Sequence, residues 1–164
     1  MTLDPTERAT LLARYRAGHA ALVASLDGVT DDELDAHPIE GEWSVREVVH
    51  NVADSEMTSA IRVRRLLAED DPLIVGYDGD EFARRLFYDD RPIGPSLAAV
   101  AAARATTADI LDRLTDAQWA RMGTHSESGP YGVETWMRIY ASHAHDHADQ
   151  VRQVREAWAA QRRG

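Results

Sequence analysis

The stretch Tyr140-Ala-Ser-His-Ala-His-Asp-His-Ala-Asp-Gln-Val151 reads as helix from end to end, and the rest of the chain is organised around it. Each residue of an α-helix turns about 100° around the axis, so His143 and His147 lie about 40° apart, with Cβ atoms roughly 5–6 Å from each other. Two imidazoles so placed reach a single metal ion. The pair flanks an apolar stripe that runs through Val133, Met137, Tyr140, Ala144, Val151, Val154 and Trp158. His145, about 200° around from His143, points to solvent. A third ligand has to come from another helix, and His50 in Val48-Val-His-Asn-Val-Ala-Asp-Ser-Glu56 is the best placed. Three protein ligands leave a divalent ion at least one open position, the pattern of a catalytic site. The competing reading makes these histidines ordinary polar residues of a core that holds no metal.

Upstream, Ser44-Val-Arg-Glu47 is a capping box with Trp43 in the staple position. It predicts a long helix to about Leu67 with Val45, Val49, Val52, Ala53, Ala60, Val63 and Leu67 turned inward. Asp4-Pro5 is an N-cap followed by proline at the first helical position, and the helix it opens carries Leu12, Tyr15, His19, Leu22 and Leu26 until Gly28 stops it. A further helix is expected over 96–114, with Leu97, Val100, Ala101, Ala108 and Leu111 inside. Two more capping boxes, Thr30-Asp-Asp-Glu33 and Thr115-Asp-Ala-Gln118, open brief turns. Residues 69–80 are acidic and irregular, a connection that ends in a short segment over 81–87, and residues 123–132 form a glycine- and serine-rich loop. No segment alternates with period two for long enough to announce a sheet. Four long amphipathic helices define an all-α four-helix bundle with short connecting turns, a single domain over 1–164 without internal repeats.

A chain of 164 residues buries roughly two-thirds of its unfolded surface without covalent help. Cysteine is absent, which excludes disulfides, thiolate zinc sites and a cysteine nucleophile, and suits a reducing cytoplasm. The first residues, Met1-Thr-Leu-Asp-Pro-Thr-Glu-Arg8, lack the basic-then-apolar pattern of a secretory signal. The longest apolar run, 97–103, falls far short of the ~20 residues that span a bilayer. Acidic residues outnumber basic ones by 28 to 18, and the net charge of −10 repels phosphate backbones and anionic lipid. A soluble, cytoplasmic protein is expected, with neither nucleic acid nor membrane as a partner.

Three polar residues break the apolar stripes. His19, Glu56 and Arg104 project within about 20° of the stripe centres, where an uninterrupted core has leucine. A buried charge without a partner is costly, so they line a polar pocket, or Glu56 and Arg104 form an ordinary buried ion pair and His19 is a satisfied core histidine.

The string Trp43-Ser-Val-Arg-Glu-Val-Val-His-Asn-Val-Ala-Asp-Ser55, then Ile61-Arg62, Glu69-Asp70, Pro72 and Tyr77-Asp78, together with the distant His143-x-x-x-His147, resembles the DinB-like superfamily and specifically its YfiT-like branch. The similarity extends over nearly the whole chain. It implies a four-helix bundle that forms a homodimer and binds one divalent ion, zinc or nickel, through His50, His143 and His147. It also implies an enzyme, either a metal-dependent hydrolase or a transferase that joins a low-molecular-weight thiol such as bacillithiol or mycothiol to a small electrophile. Relatives often carry His where Asn51 and Glu56 stand. The change at Glu56 makes that carboxylate a candidate general base or fourth ligand.

A cation held by three neutral imidazoles lowers the pKa of a bound water toward about 7, or ionises a bound thiol. Asp54, one turn beyond His50, and Asp146, three residues beyond His143, are the expected acceptors that fix the imidazole tautomers. Arg62, Arg64 and Arg104 are candidates to hold an anionic group of a small-molecule substrate. The alternative is a non-catalytic metal- or ligand-binding bundle whose site is closed by side chains.

Overall fold

Four long helices carry the architecture: α1 (Pro5–Ser25), α3 (Val45–Ala68), α5 (Ile93–Leu111) and α7 (Val133–Gln161). The computed structural model describes residues 3–163; Met1, Thr2 and Gly164, the ends of the domain expected over 1–164, lie outside them. The starts of α1 and α3 follow from side-chain capping. Asp4 accepts from the backbone N–H groups of Thr6 and Glu7 while Glu7 reaches back to the Asp4 N–H, and Ser44 and Glu47 do the same at α3. Helix α5 starts at Ile93, ahead of the expected Ser96. Pro95 is tolerated there because the first turn of a helix has no internal acceptor for its N–H groups.

Each long helix packs on two others, giving the cyclic order α1, α7, α3, α5. Side-chain bonds fix the directions. Arg14 meets Ser142 and Arg155 meets the Ser25 carbonyl, so α1 and α7 run parallel. His50 meets Ser96 and Arg64 meets Thr107, so α3 and α5 run parallel too. Trp136 meets Ser59 and His143 meets Ser55, which makes α3 and α7 antiparallel. A parallel neighbour requires the chain to return along the bundle before α5 begins. Residues 69–92 make that return, through β1 (Leu73–Ile74) and α4 (Gly79–Arg85), and α4 packs on α3. The remaining short helices are α2 (Asp31–Leu34) and α6 (Asp116–Trp119), both opened by the expected threonine caps.

The loop expected over 123–132 is instead a hairpin. Strands β2 (Met122–His125) and β3 (Gly129–Gly132) pair antiparallel, and β1 adds in parallel to β2, with Leu73 opposite Thr124. Gly129 closes the turn in the left-handed region, φ 78°, which glycine adopts without strain. A Cβ at Gly123 would stand 2.6 Å from the Pro72 carbonyl oxygen, so only glycine lets β1 approach there.

The core is divided in two. Leu12, Tyr15, Val63, Leu66, Ala108, Trp136 and Met137 belong to one apolar cluster, and Leu22, Val45, Val49, Val52, Val100, Val151 and Val154 to the other. Between them along the helices lies a buried polar layer that includes Glu56 of α3, 0% exposed, and Arg104 of α5, 2% exposed.

Candidate functional site

Arg104 and Glu56 form a buried ion pair through Nη1 and Oε1. The guanidinium also donates from Nε and Nη2 to the Tyr15 carbonyl, at 2.9 and 2.6 Å, and from Nη2 to the Tyr140 carbonyl at 3.2 Å, while lying 4.0 Å from the Tyr15 ring centroid. It therefore ties α1, α3, α5 and α7 together at one level. Gly18 makes room for it, since a Cβ there would sit 2.5 Å from Nη2 and 3.0 Å from the Ala144 Cβ. Among the described residues Glu56 Oε2 has no hydrogen-bond partner. His19 is half-buried and lines, with Arg16, Arg104 and Asp109, a cavity of about 360 Å³ between α1 and α5, away from the α3–α7 seam.

The same Glu56 oxygen holds His143. Nδ1 of His143 lies 3.2 Å from Oε1, and Nε2 lies 3.2 Å from the Ser55 hydroxyl. A carboxylate accepts, so the ring proton sits on Nδ1 and Nε2 takes the Ser55 hydroxyl proton as acceptor. Ser55 also shares a hydrogen bond with the Tyr140 phenol, whose pKa burial raises. One turn on, His147 packs edge-on against His143 with ring centroids 4.6 Å apart, and its Nδ1 lies 2.8 Å from Gln150 Oε1. Burial, reinforced by His143, lowers the His147 pKa and keeps that ring neutral at pH 7.

His50 is not brought to this pair. It is fully buried on the side of α3 that faces α5, where Nδ1 lies 2.8 Å from Ser96 Oγ and Nε2 donates to the Arg91 carbonyl at 3.0 Å. Both nitrogens are thus engaged, and desolvation lowers the His50 pKa. Asp54 accepts from the Tyr88 phenol at 2.6 Å and faces Arg91 at 3.8 Å; it braces the return segment that covers His50 instead of bonding the imidazole. Asp146 is exposed, and the acceptors that orient the two α7 imidazoles are Glu56 and Gln150. Ser55 and Gln150 carried no signal in the sequence beyond their helical spacing from Glu56 and His147.

The three arginines separate clearly. Arg104 is consumed in the core, and Arg64 donates to the Ala60 carbonyl, Thr106 and Thr107. Arg62 spans from the Val75 carbonyl, 2.9 Å from Nη2, to the Tyr77 ring, and among the described residues its buried Nε has no partner. It stands two turns beyond Ser55 on nearly the same face of α3, and its charge acts on Tyr140. Of the three, Arg62 thus stands nearest in helical position to Ser55, with its Nε buried and without a partner among the described residues.

A divalent ion held by three imidazoles does not fit these residues. His50 faces another seam, and among the described residues no three His, Cys, Asp or Glu side chains are grouped so as to hold an ion. Nor, among the described residues, is any helix long and apolar enough to cross a membrane.

The family model described as the DinB superfamily matches residues 14–151. The chain is similar to a candidate metal-dependent hydrolase of Oceanobacillus iheyensis, 33% identical over 119 residues, covering 73% of this chain and 69% of the relative. It is similar also to YfiT of Bacillus subtilis, named as a candidate metal-dependent hydrolase, 32% identical over 145 residues, covering 85% of this chain and 80% of that one. The solved YfiT structure, described as having an unusual four-helix bundle topology, superposes with a TM-score of 0.90 at 26% identity, covering 96% of this chain and 91% of that one.

Proposed function

Because the chain belongs to the DinB superfamily, whose similar members are named as candidate metal-dependent hydrolases, we propose that it hydrolyses a small molecule at the seam between α3 and α7. The observation that carries this reading is the line from the Glu56 carboxylate through the His143 ring to the Ser55 hydroxyl. An acceptor that orients an imidazole, whose far nitrogen faces a hydroxyl, is the arrangement that activates a nucleophile. Ser55 Oγ attacks an electrophilic carbonyl while His143 Nε2 takes its proton. The proton then passes to the departing group, leaving an ester on Ser55. Water, deprotonated by the same nitrogen, cleaves that ester and returns the serine. Glu56 holds Nδ1–H throughout, and its tie to Arg104 keeps the carboxylate in place. Arg62 suits a substrate that carries a carboxylate or phosphate near the scissile bond.

A second reading keeps the base and replaces the nucleophile. Ser55 is only 6% exposed, so a low-molecular-weight thiol reaching Nε2 from solvent would give up its proton there and be transferred to the electrophile. A panel of small anionic esters, assayed with and without added thiol and with and without chelator, distinguishes the two. Hydrolysis lost in both Ser55→Ala and His143→Ala supports the first reading. Thiol-dependent turnover that survives Ser55→Ala supports the second. Turnover unchanged in His143→Ala removes both.

A further inference from the structure

The two imidazoles of α7 are dressed as metal ligands are. Each Nδ1 is held by a side-chain acceptor, Glu56 for His143 and Gln150 for His147. That turns both Nε2 lone pairs away from those acceptors, the His143 one toward the Ser55 hydroxyl, which is the orientation that outer partners impose on imidazoles that bind metal. The missing element is a third donor from α3, and the antiparallel register says where it belongs. Trp136 meets Ser59 and His143 meets Ser55, so one further turn along α7 and one turn back along α3 set His147 against Asn51. His50 is adjacent in sequence but about 100° away around the helix, with both nitrogens spent on Ser96 and Arg91. Asn51 is 7% exposed, and its amide nitrogen is 3.6 Å from where a Cβ would stand on Gly79 of α4, an ordinary packing distance.

We infer that Asn51 occupies the third coordinating position at the α3–α7 seam, and that this position binds divalent transition metals weakly because a neutral amide stands where an imidazole or carboxylate would complete the set. This inference concerns coordination and does not rest on the hydrolytic reading. Two imidazoles and an amide oxygen are a poor set for zinc, nickel or cobalt, which nitrogen donors favour. Outer partners alone change metal affinity by about 10–100-fold, so a missing ligand costs at least about 100-fold.

The test uses full-length protein without a histidine tag, titrated with Co²⁺ and followed by its visible absorption and by calorimetry. Asn51→His is expected to bind one ion per chain at least about 100-fold more tightly than the unaltered protein, with the strong visible bands of a low-coordinate site. Asn51→Asp, nearly isosteric, tests the same position should the larger imidazole prevent folding, and is also expected to bind more tightly. His147→Ala in either background abolishes the gain, and His50→Ala leaves it intact. Tight stoichiometric binding by the unaltered protein overturns the inference. So does loss of binding on His50→Ala, or the absence of any gain in a folded Asn51 variant. These readouts are metal affinities and spectra, so they stand whether or not the ester assay finds a substrate.

Discussion

Replacing Gly18 by alanine sets two effects of known size against each other. In the middle of an exposed helix this change stabilises by roughly 1 kcal/mol, because alanine surrenders less backbone entropy. At Gly18 the new methyl would sit 2.5 Å from Arg104 Nη2, 2.8 Å from its Cζ and 3.0 Å from the Ala144 Cβ. The guanidinium is the only part able to give way, and to do so it must leave the Tyr15 carbonyl and loosen its bond to Glu56. Breaking a buried pair costs about 3–5 kcal/mol, since the abandoned charge stays out of water. The net expectation is a loss of about 2–4 kcal/mol, read as a fall in Tm of about 4–16 °C for a domain of this size. Gly94→Ala in the first turn of α5 is the internal control, because nothing lies within 4 Å of the added methyl. Paired melts by circular dichroism decide the matter. A Gly18→Ala protein as stable as wild type, or more so, refutes the claim that the guanidinium is held against this glycine.

Arg104→Met alone is expected to cost about 3–5 kcal/mol in urea denaturation, whereas Arg104→Met combined with Glu56→Met recovers most of that loss because no charge is left stranded. His50 has a folded pKa below the ordinary 6.5. Below that pH the unfolded chain binds the extra proton, so the stability is complete above 6.5 and is lost on acidification, by up to about 1.4 kcal/mol per pH unit from this group. Urea midpoints at pH 8 and pH 5.5 check it, and the acid-induced loss is expected to be smaller in His50→Gln. In any ester assay that yields turnover, His143→Ala is expected to lower kcat by about 100-fold or more, the usual contribution of a positioned base. Arg62→Gln is expected to raise KM for an anionic substrate while leaving kcat nearly unchanged, and an equal loss in kcat would remove its role as an anchor.

The sequence made the bundle legible through its punctuation. The capping boxes at Asp4 and Ser44 mark where α1 and α3 begin, and the stripe of α7 announces its buried face. The hairpin was hidden because β2 and β3 consist largely of glycine, proline and small polar residues and are held by backbone pairing, which leaves no alternating pattern. At the site, the seam carrying His143 and His147 and the unusual position of Glu56 and Arg104 were readable from helical angle alone. The seam that His50 and its neighbour Asn51 each enter was not. Helix α3 is buried on two sides, against α5 and against α7, so both neighbours project into protein, and only the packing order says which seam each enters. His145 shows the same effect: expected in solvent, it is half-buried with Nε2 donating to the Arg14 carbonyl at 2.9 Å, because the parallel α1 covers that side of α7.

The charged layer between the two apolar clusters also governs alignment. Sliding α3 by one turn along α5 would exchange valine for valine or alanine with little penalty in most of the core, since small aliphatic side chains tolerate many pairings. The same slip would strand Glu56 and Arg104 opposite hydrocarbon, each a bare ion in a dry interior. A bundle with such forgiving walls thus has one level at which only a single axial setting is habitable, and through Glu56 that setting also fixes the height at which His143 meets Ser55.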